Sequence, residues 1–77
     1  MYWTNMSKRQ ASHLANLIAT KCSDGSIVTN SKYSATSTRI TAVYNEDSTM
    51  MQIYSNYTRD NVLDEFEYLK KFEWIKA

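Results

Sequence analysis

The spacing of apolar positions changes period along the chain. Ala11, Leu14, Ala15, Ile18 and Cys22 recur at i, i+3, i+4, i+7 and i+11. At about 100° per residue they share one stripe. Ser7-Lys8-Arg9-Gln10 just ahead has the form of a capping box, with Ser7 as N-cap and Gln10 reaching back. The pattern predicts a helix from Lys8 to about Cys22, with Asp24-Gly25 as the turn that closes it.

The period then shortens to two. Ser26 to Asn30, with Ile27 and Val28, reads as a strand. Thr36 to Tyr44 reads as another, with Ile40, Ala42 and Tyr44 on one face. Asn45-Glu46-Asp47-Ser48 is a polar loop of hairpin length. Thr49 to Tyr57 is the return strand, with Met51, Ile53 and Tyr57 on one side and Met50 and Tyr54 on the other. Ser31 to Ala35 fits either a strand extension or a loop.

A second helix is expected after Thr58 or Asp60, either of which can cap it, with acids in its first turn where the dipole favours them. Val62, Phe66 and Leu69 form its apolar stripe, and Asp60, Asp64 and Glu67 lie opposite. The pattern fails at Glu73, which falls on the stripe, while Tyr68, Phe72 and Ile75 cluster elsewhere and Trp74 shares a third side with Leu63. The predicted order is α-β-β-β-α. That is an α+β fold with about three antiparallel strands and helices from both ends of the chain on one face. The opposite sheet face stays exposed unless something covers it.

Composition narrows the class. Seventy-seven residues make a single domain, 1–77. With 43% hydrophobic and 22% charged residues, no proline and one glycine, the chain is globular and carries no linker. Its longest apolar run is far short of a membrane span. Met1-Tyr2-Trp3-Thr4-Asn5 lacks the basic region and apolar core of a signal peptide. A lone cysteine cannot staple a domain of this size, which points to the cytoplasm, that of a host if the chain is phage-encoded.

Charge is polarised despite a net of only +1. Lys8, Arg9, Lys21, Lys32 and Arg39 face a single acid, Asp24, in residues 1–44. Seven acids outnumber Arg59, Lys70, Lys71 and Lys76 in residues 45–77. Complementary packing within the fold and a partner-facing polarity are both open at this level.

Catalytic constellations are scarce. His13 is the single histidine, and nine residues of helix turn it away from Cys22. No His/Cys spacing suits zinc, and no cofactor motif occurs, so neither cofactor nor metal is expected. Asp60 and Asp64 at i, i+4 could hold Mg²⁺ or act as acid and base, although such a pair is ordinary on a solvated helix face.

The element order resembles that of the double-stranded RNA-binding domain. That family grips phosphates with a lysine cluster at the start of its last helix. The matching stretch here, Thr58-Arg59-Asp60-Asn61-Val62-Leu63-Asp64-Glu65, is acidic, so the resemblance stops at topology.

These observations predict a non-enzymatic protein-binding module. The model for it is a small phage or mobile-element inhibitor of a host protein, in the manner of anti-defence and anti-CRISPR proteins. Ten aromatics and four methionines are plentiful for so small a core, and Tyr and Trp are hot-spot residues. The expected contact residues are Asp60, Asp64, Glu67, Glu46, Asp47, Trp74 and Tyr68. The acids would dock on a basic groove, including that of a nucleic-acid-binding protein. A homodimer seam is another use for the aromatic surface. The alternative is a small nucleic-acid-binding regulator using Lys8, Arg9, Lys21 and Arg39, disfavoured by a pI near 7.8.

Overall fold

The computed structural model describes residues 1–21, 29–56 and 62–76, without the side chain of Thr29. Six strands form one antiparallel sheet: β1 (Tyr2–Asn5), β2 (Thr29–Asn30), β3 (Ala35–Thr36), β4 (Ile40–Asn45), β5 (Met50–Ser55) and β6 (Ile75–Lys76), in the order β2-β3-β4-β5-β1-β6. One α-helix, α1 (Lys8–Lys21), and two short 3-10 helices (Val62–Glu65 and Glu67–Lys71) complete the described elements. The expected α-β-β-β-α arrangement of about three strands with a helix at each end is therefore incorrect. Both ends of the chain enter the sheet instead. The topological resemblance to the double-stranded RNA-binding domain falls with the terminal helix.

Helix α1 forms as its local signals dictate. The Ser7 N–H donates to Gln10 Oε1 at 2.9 Å, and the Gln10 N–H donates to Ser7 Oγ at 3.2 Å. This reciprocal cap satisfies two N–H groups that the first turn would otherwise leave unpaired. Ala11, Leu14, Ala15 and Ile18 are buried, as the stripe requires. Cys22, Asp24-Gly25, Ile27 and Val28 lie outside the described residues.

The β4–β5 hairpin pairs Asn45 with Met50 across a turn at 46–49, one residue later than expected. Asn45 Oδ1 sets the turn by accepting the N–H groups of Asp47 (2.9 Å) and Ser48 (3.4 Å). Ile40, Ala42 and Tyr44 are buried on one face, opposite Met51 and Ile53 on the neighbouring strand. Tyr57 lies outside the described residues.

The single strand expected over Thr36–Tyr44 is two strands. Ser37 breaks it. Its Oγ accepts the N–H groups of Arg39 (3.2 Å) and Ile40 (3.1 Å) and donates to the Ile40 carbonyl at 3.2 Å. A hydroxyl that serves the backbone locally competes with the ladder and turns the chain. Residues 31–34 are a turn, closed by the Ser31 N–H donating to the Ser34 carbonyl at 2.8 Å.

A continuous second helix would bury Glu73. The chain avoids this by taking two 3-10 turns separated by Phe66, whose backbone is extended at φ −137° and ψ 131°. Val62, Phe66 and Leu69 are still buried, so the expected apolar stripe faces the core although its backbone is not the expected continuous helix. The capping residues Thr58 and Asp60 lie outside the described residues.

The strand directions show how one face is covered. β1 and β2 run parallel, and α1 crosses the sheet between them. β5 and β6 also run parallel, flanking β1, and the 3-10 helices make that crossover. Both connections lie on one face. Their side chains join a single core with those of the sheet, in which Leu14, Ile18, Ile40, Met51, Ile53 and Leu69 are the largest fully buried groups. Among the described residues, no element covers the opposite face, and no helix is long and apolar enough to cross a membrane.

Candidate functional site

Alternation along the strands defines the open face. Trp3 stands between Gln52 and Ile75, Val43 is beside Gln52, and Thr41 is beside Tyr54. Val43, Tyr54 and Ile75 are 43%, 36% and 52% exposed. Met50, Asn5 and Asn45 continue the face toward the β4–β5 turn. Among the described residues, no strand position on this face carries a charge. Water-facing sheet surfaces are ordinarily polar. A neutral surface holding Trp, Tyr, Ile and Val has instead the composition of an interface centre.

The acidic residues do not form one stripe. Glu46 and Asp47 sit in the β4–β5 turn. Asp64 and Glu67 belong to the 3-10 helices, at the other end of the sheet, where Glu65 meets Arg39 at 3.8 Å. The two groups are separated by the length of a six-residue strand, about 17 Å at 3.3 Å per residue. Glu67 also pairs with Lys70 at 3.2 Å. Asp60 lies outside the described residues.

Trp74 and Tyr68 are built into the fold. The Trp74 Nε1–H donates to the Leu69 carbonyl at 2.6 Å. Its ring meets Phe72 edge-on at 6.1 Å, Phe72 meets Tyr68 at 5.4 Å, and Tyr68 meets His13 on α1 at 4.7 Å. This run of rings closes the seam between α1 and the second 3-10 helix, and burial raises the Tyr68 hydroxyl pKa above its ordinary value.

The four basic residues divide by position. Lys8 and Arg9 start α1, and Lys21 ends it, about 20 Å away at 1.5 Å per residue. Lys21 Nζ lies 5.3 Å from the Phe66 ring centre, and its carbonyl accepts from Arg39 Nη2 at 3.4 Å. Arg39 therefore links the end of α1 to Glu65 rather than standing on an open basic face. Lys8 and Arg9 instead share a cleft of about 420 Å³ with Ser12, His13, Asn16, Lys32 and Tyr33. A smaller but more enclosed groove of about 300 Å³ separates α1 from the 3-10 helices beside His13, Leu17 and Phe66.

Among the described residues, no group of three His, Cys, Asp or Glu side chains is placed to hold an ion. His13 faces Tyr68.

Sequence reasoning anticipated an uncovered sheet face but not its makeup. No sequence pattern places Trp3 or Ile75 on the sheet, and Val43 lies between the core positions Ala42 and Tyr44. Strict alternation in Thr41-Ala42-Val43-Tyr44 was the available signal for Val43. No local signal pairs Trp3 with Ile75. The chain matches no protein-family model, and neither the curated proteins nor the solved structures contain a match.

Proposed function

We propose that this chain is a non-enzymatic module that acts by occupying a surface of a partner protein, and that it does so through the open sheet face. The observation that carries this reading is the uncharged surface around Trp3, Val43, Tyr54 and Ile75. Interface centres are depleted of charge and enriched in aromatic side chains. Glu46 and Asp47, at one end of the sheet, suit a rim that steers a basic partner into place. Inhibition of a host protein by a small phage or mobile-element product needs only such occupancy, and it is the setting we favour. The nucleic-acid alternative is weakened because Lys21 and Arg39 are engaged within the fold, about 20 Å from Lys8.

The test is affinity capture from a lysate of the organism that carries the gene, with and without nuclease. The bait is the natural chain or a Val43→Lys/Tyr54→Lys variant. A nuclease-resistant protein retained by the natural chain and lost by a variant with an unchanged melt supports the reading. Loss of every partner after nuclease, or equal retention by the folded variant, overturns it.

A further inference from the structure

We infer that the cleft between α1 and the 31–34 turn binds a free nucleotide, with its phosphates held by Lys8, Arg9 and Lys32. This site is separate from the open sheet face and does not depend on it. Three cations from two distant segments converge on one cleft of about 420 Å³, within the range of small-ligand sites. No acidic side chain lines it. Glu46 lines the groove on the other side of Lys32 and Tyr33. Among the described residues, none of the three cations has a carboxylate partner, whereas Arg39 and Lys70 each have one.

Like charges gathered in one place repel, and a ligand with several negative charges converts that repulsion into attraction. Phosphate is the anion whose geometry suits a guanidinium fork together with ammonium point charges. Ser12 and Asn16, on the same side of α1, add neutral hydrogen-bonding groups. Half-buried Tyr33, with Lys32 Nζ 5.3 Å from its ring centre, supplies an aromatic wall once that ammonium turns to the phosphates. Bases stack on such rings without regard to sequence. The helix terminus itself is not the anchor, because Ser7 and Gln10 already cap it.

The arrangement selects a free nucleotide over a nucleic-acid strand. A strand needs cations that track its backbone. Here the three cations line one cleft, whereas Arg39 near the far end of α1 is held by Glu65 and the Lys21 carbonyl.

The experiment is calorimetric titration of the full chain at physiological salt with adenosine triphosphate, inorganic tripolyphosphate and single-stranded oligonucleotides of increasing length. Arg9→Ala, Lys32→Ala and the double variant are compared with Lys76→Ala as a control. We expect one saturable site per chain for adenosine triphosphate, with tripolyphosphate competing for it. Each single variant should weaken binding roughly tenfold, as expected for a lost charged hydrogen bond. The double variant should abolish binding, the control should bind normally, and all should melt as the natural chain does. Absence of saturable binding, binding indifferent to Arg9 and Lys32, or failure of tripolyphosphate to compete overturns the proposal. So does an oligonucleotide that binds more tightly than the nucleotide and gains affinity with length.

Discussion

The Tyr44 hydroxyl donates a 2.7 Å hydrogen bond to the Met6 carbonyl, joining residues 38 positions apart. Met6 lies between β1 and α1, so this bond fixes the junction of strand and helix onto β4 in the middle of the sheet. The Met6 N–H also donates to the Thr49 carbonyl at 3.0 Å, which holds the same junction against the β4–β5 turn. Removing the hydroxyl leaves a buried carbonyl without its donor. Tyr44→Phe should therefore lower stability by about 1–3 kcal/mol in chemical denaturation. A loss below about 0.3 kcal/mol would show that water replaces the bond without cost.

Alkaline stability should follow the same residue. The Tyr44 hydroxyl pKa is raised above 10.0, first by burial and then by the Glu46 carboxylate and Tyr33. Burial raises Tyr68 in the same direction. The unfolded chain releases these protons at lower pH than the folded chain does. Their contribution is thus complete below about pH 10 and is lost as pH rises through the folded-state values. Melting temperature should fall above that point, and a Tyr44→Phe/Tyr68→Phe variant should show a flatter decline. An equally steep decline in the double variant would place the alkaline sensitivity elsewhere.

The two faces of α1 should respond unequally. Leu14 and Ile18 are fully buried, so alanine at either should cost about 2–5 kcal/mol. Arg9 is exposed, and Arg9→Ala should change stability by less than about 0.5 kcal/mol. Denaturant midpoints with constant m-values measure both. Equal effects would mean that the helix packs through another side.

Thr49 adopts φ 52°, in the left-handed region that a β-branched residue enters at a cost. Thr49→Gly should relieve strain of about 1–2 kcal/mol, offset in part by the greater freedom of glycine in the unfolded chain. The net gain should be up to about 1 kcal/mol in a thermal or denaturant melt. A destabilised variant would indicate that the Thr49 Oγ1 bond to the Ser48 carbonyl, at 2.7 Å, outweighs the strain.

Trp74 closes the seam that delivers β6 to β1. Trp74→Ala removes the bond to the Leu69 carbonyl and the edge contact with Phe72, and should cost about 2–4 kcal/mol. Hydrogen exchange should quicken first at Trp3 and Ile75, which β6 pairs directly. A stable Trp74→Ala chain that loses only partner binding would return Trp74 to the role of an interface anchor.

Helix α1 and the β4–β5 hairpin were legible from residue order alone, because their causes are local. The reciprocal cap of Ser7 and Gln10, the stripe through Leu14 and Ile18, and the alternation of Ile40, Ala42 and Tyr44 each lie within one or two turns or rungs of chain. Val62, Phe66 and Leu69 were legible as buried for the same reason, although their backbone was not. The terminal strands have no local cause. Tyr2–Asn5 and Ile75–Lys76 are too short to bury a face alone, and they become strands only by pairing with β5 and with each other. The extended backbone at Phe66 and Phe72 leaves Glu73 exposed and lets Ile75–Lys76 pair with β1. The same long-range pairing places Trp3 beside Ile75 on the open face, and chain reversal across the sheet brings Lys32 to Lys8 and Arg9. Residue types and local periods thus specify which side chains are buried. Which exposed side chains become neighbours depends on strand order, which is set by contacts between residues far apart in the chain.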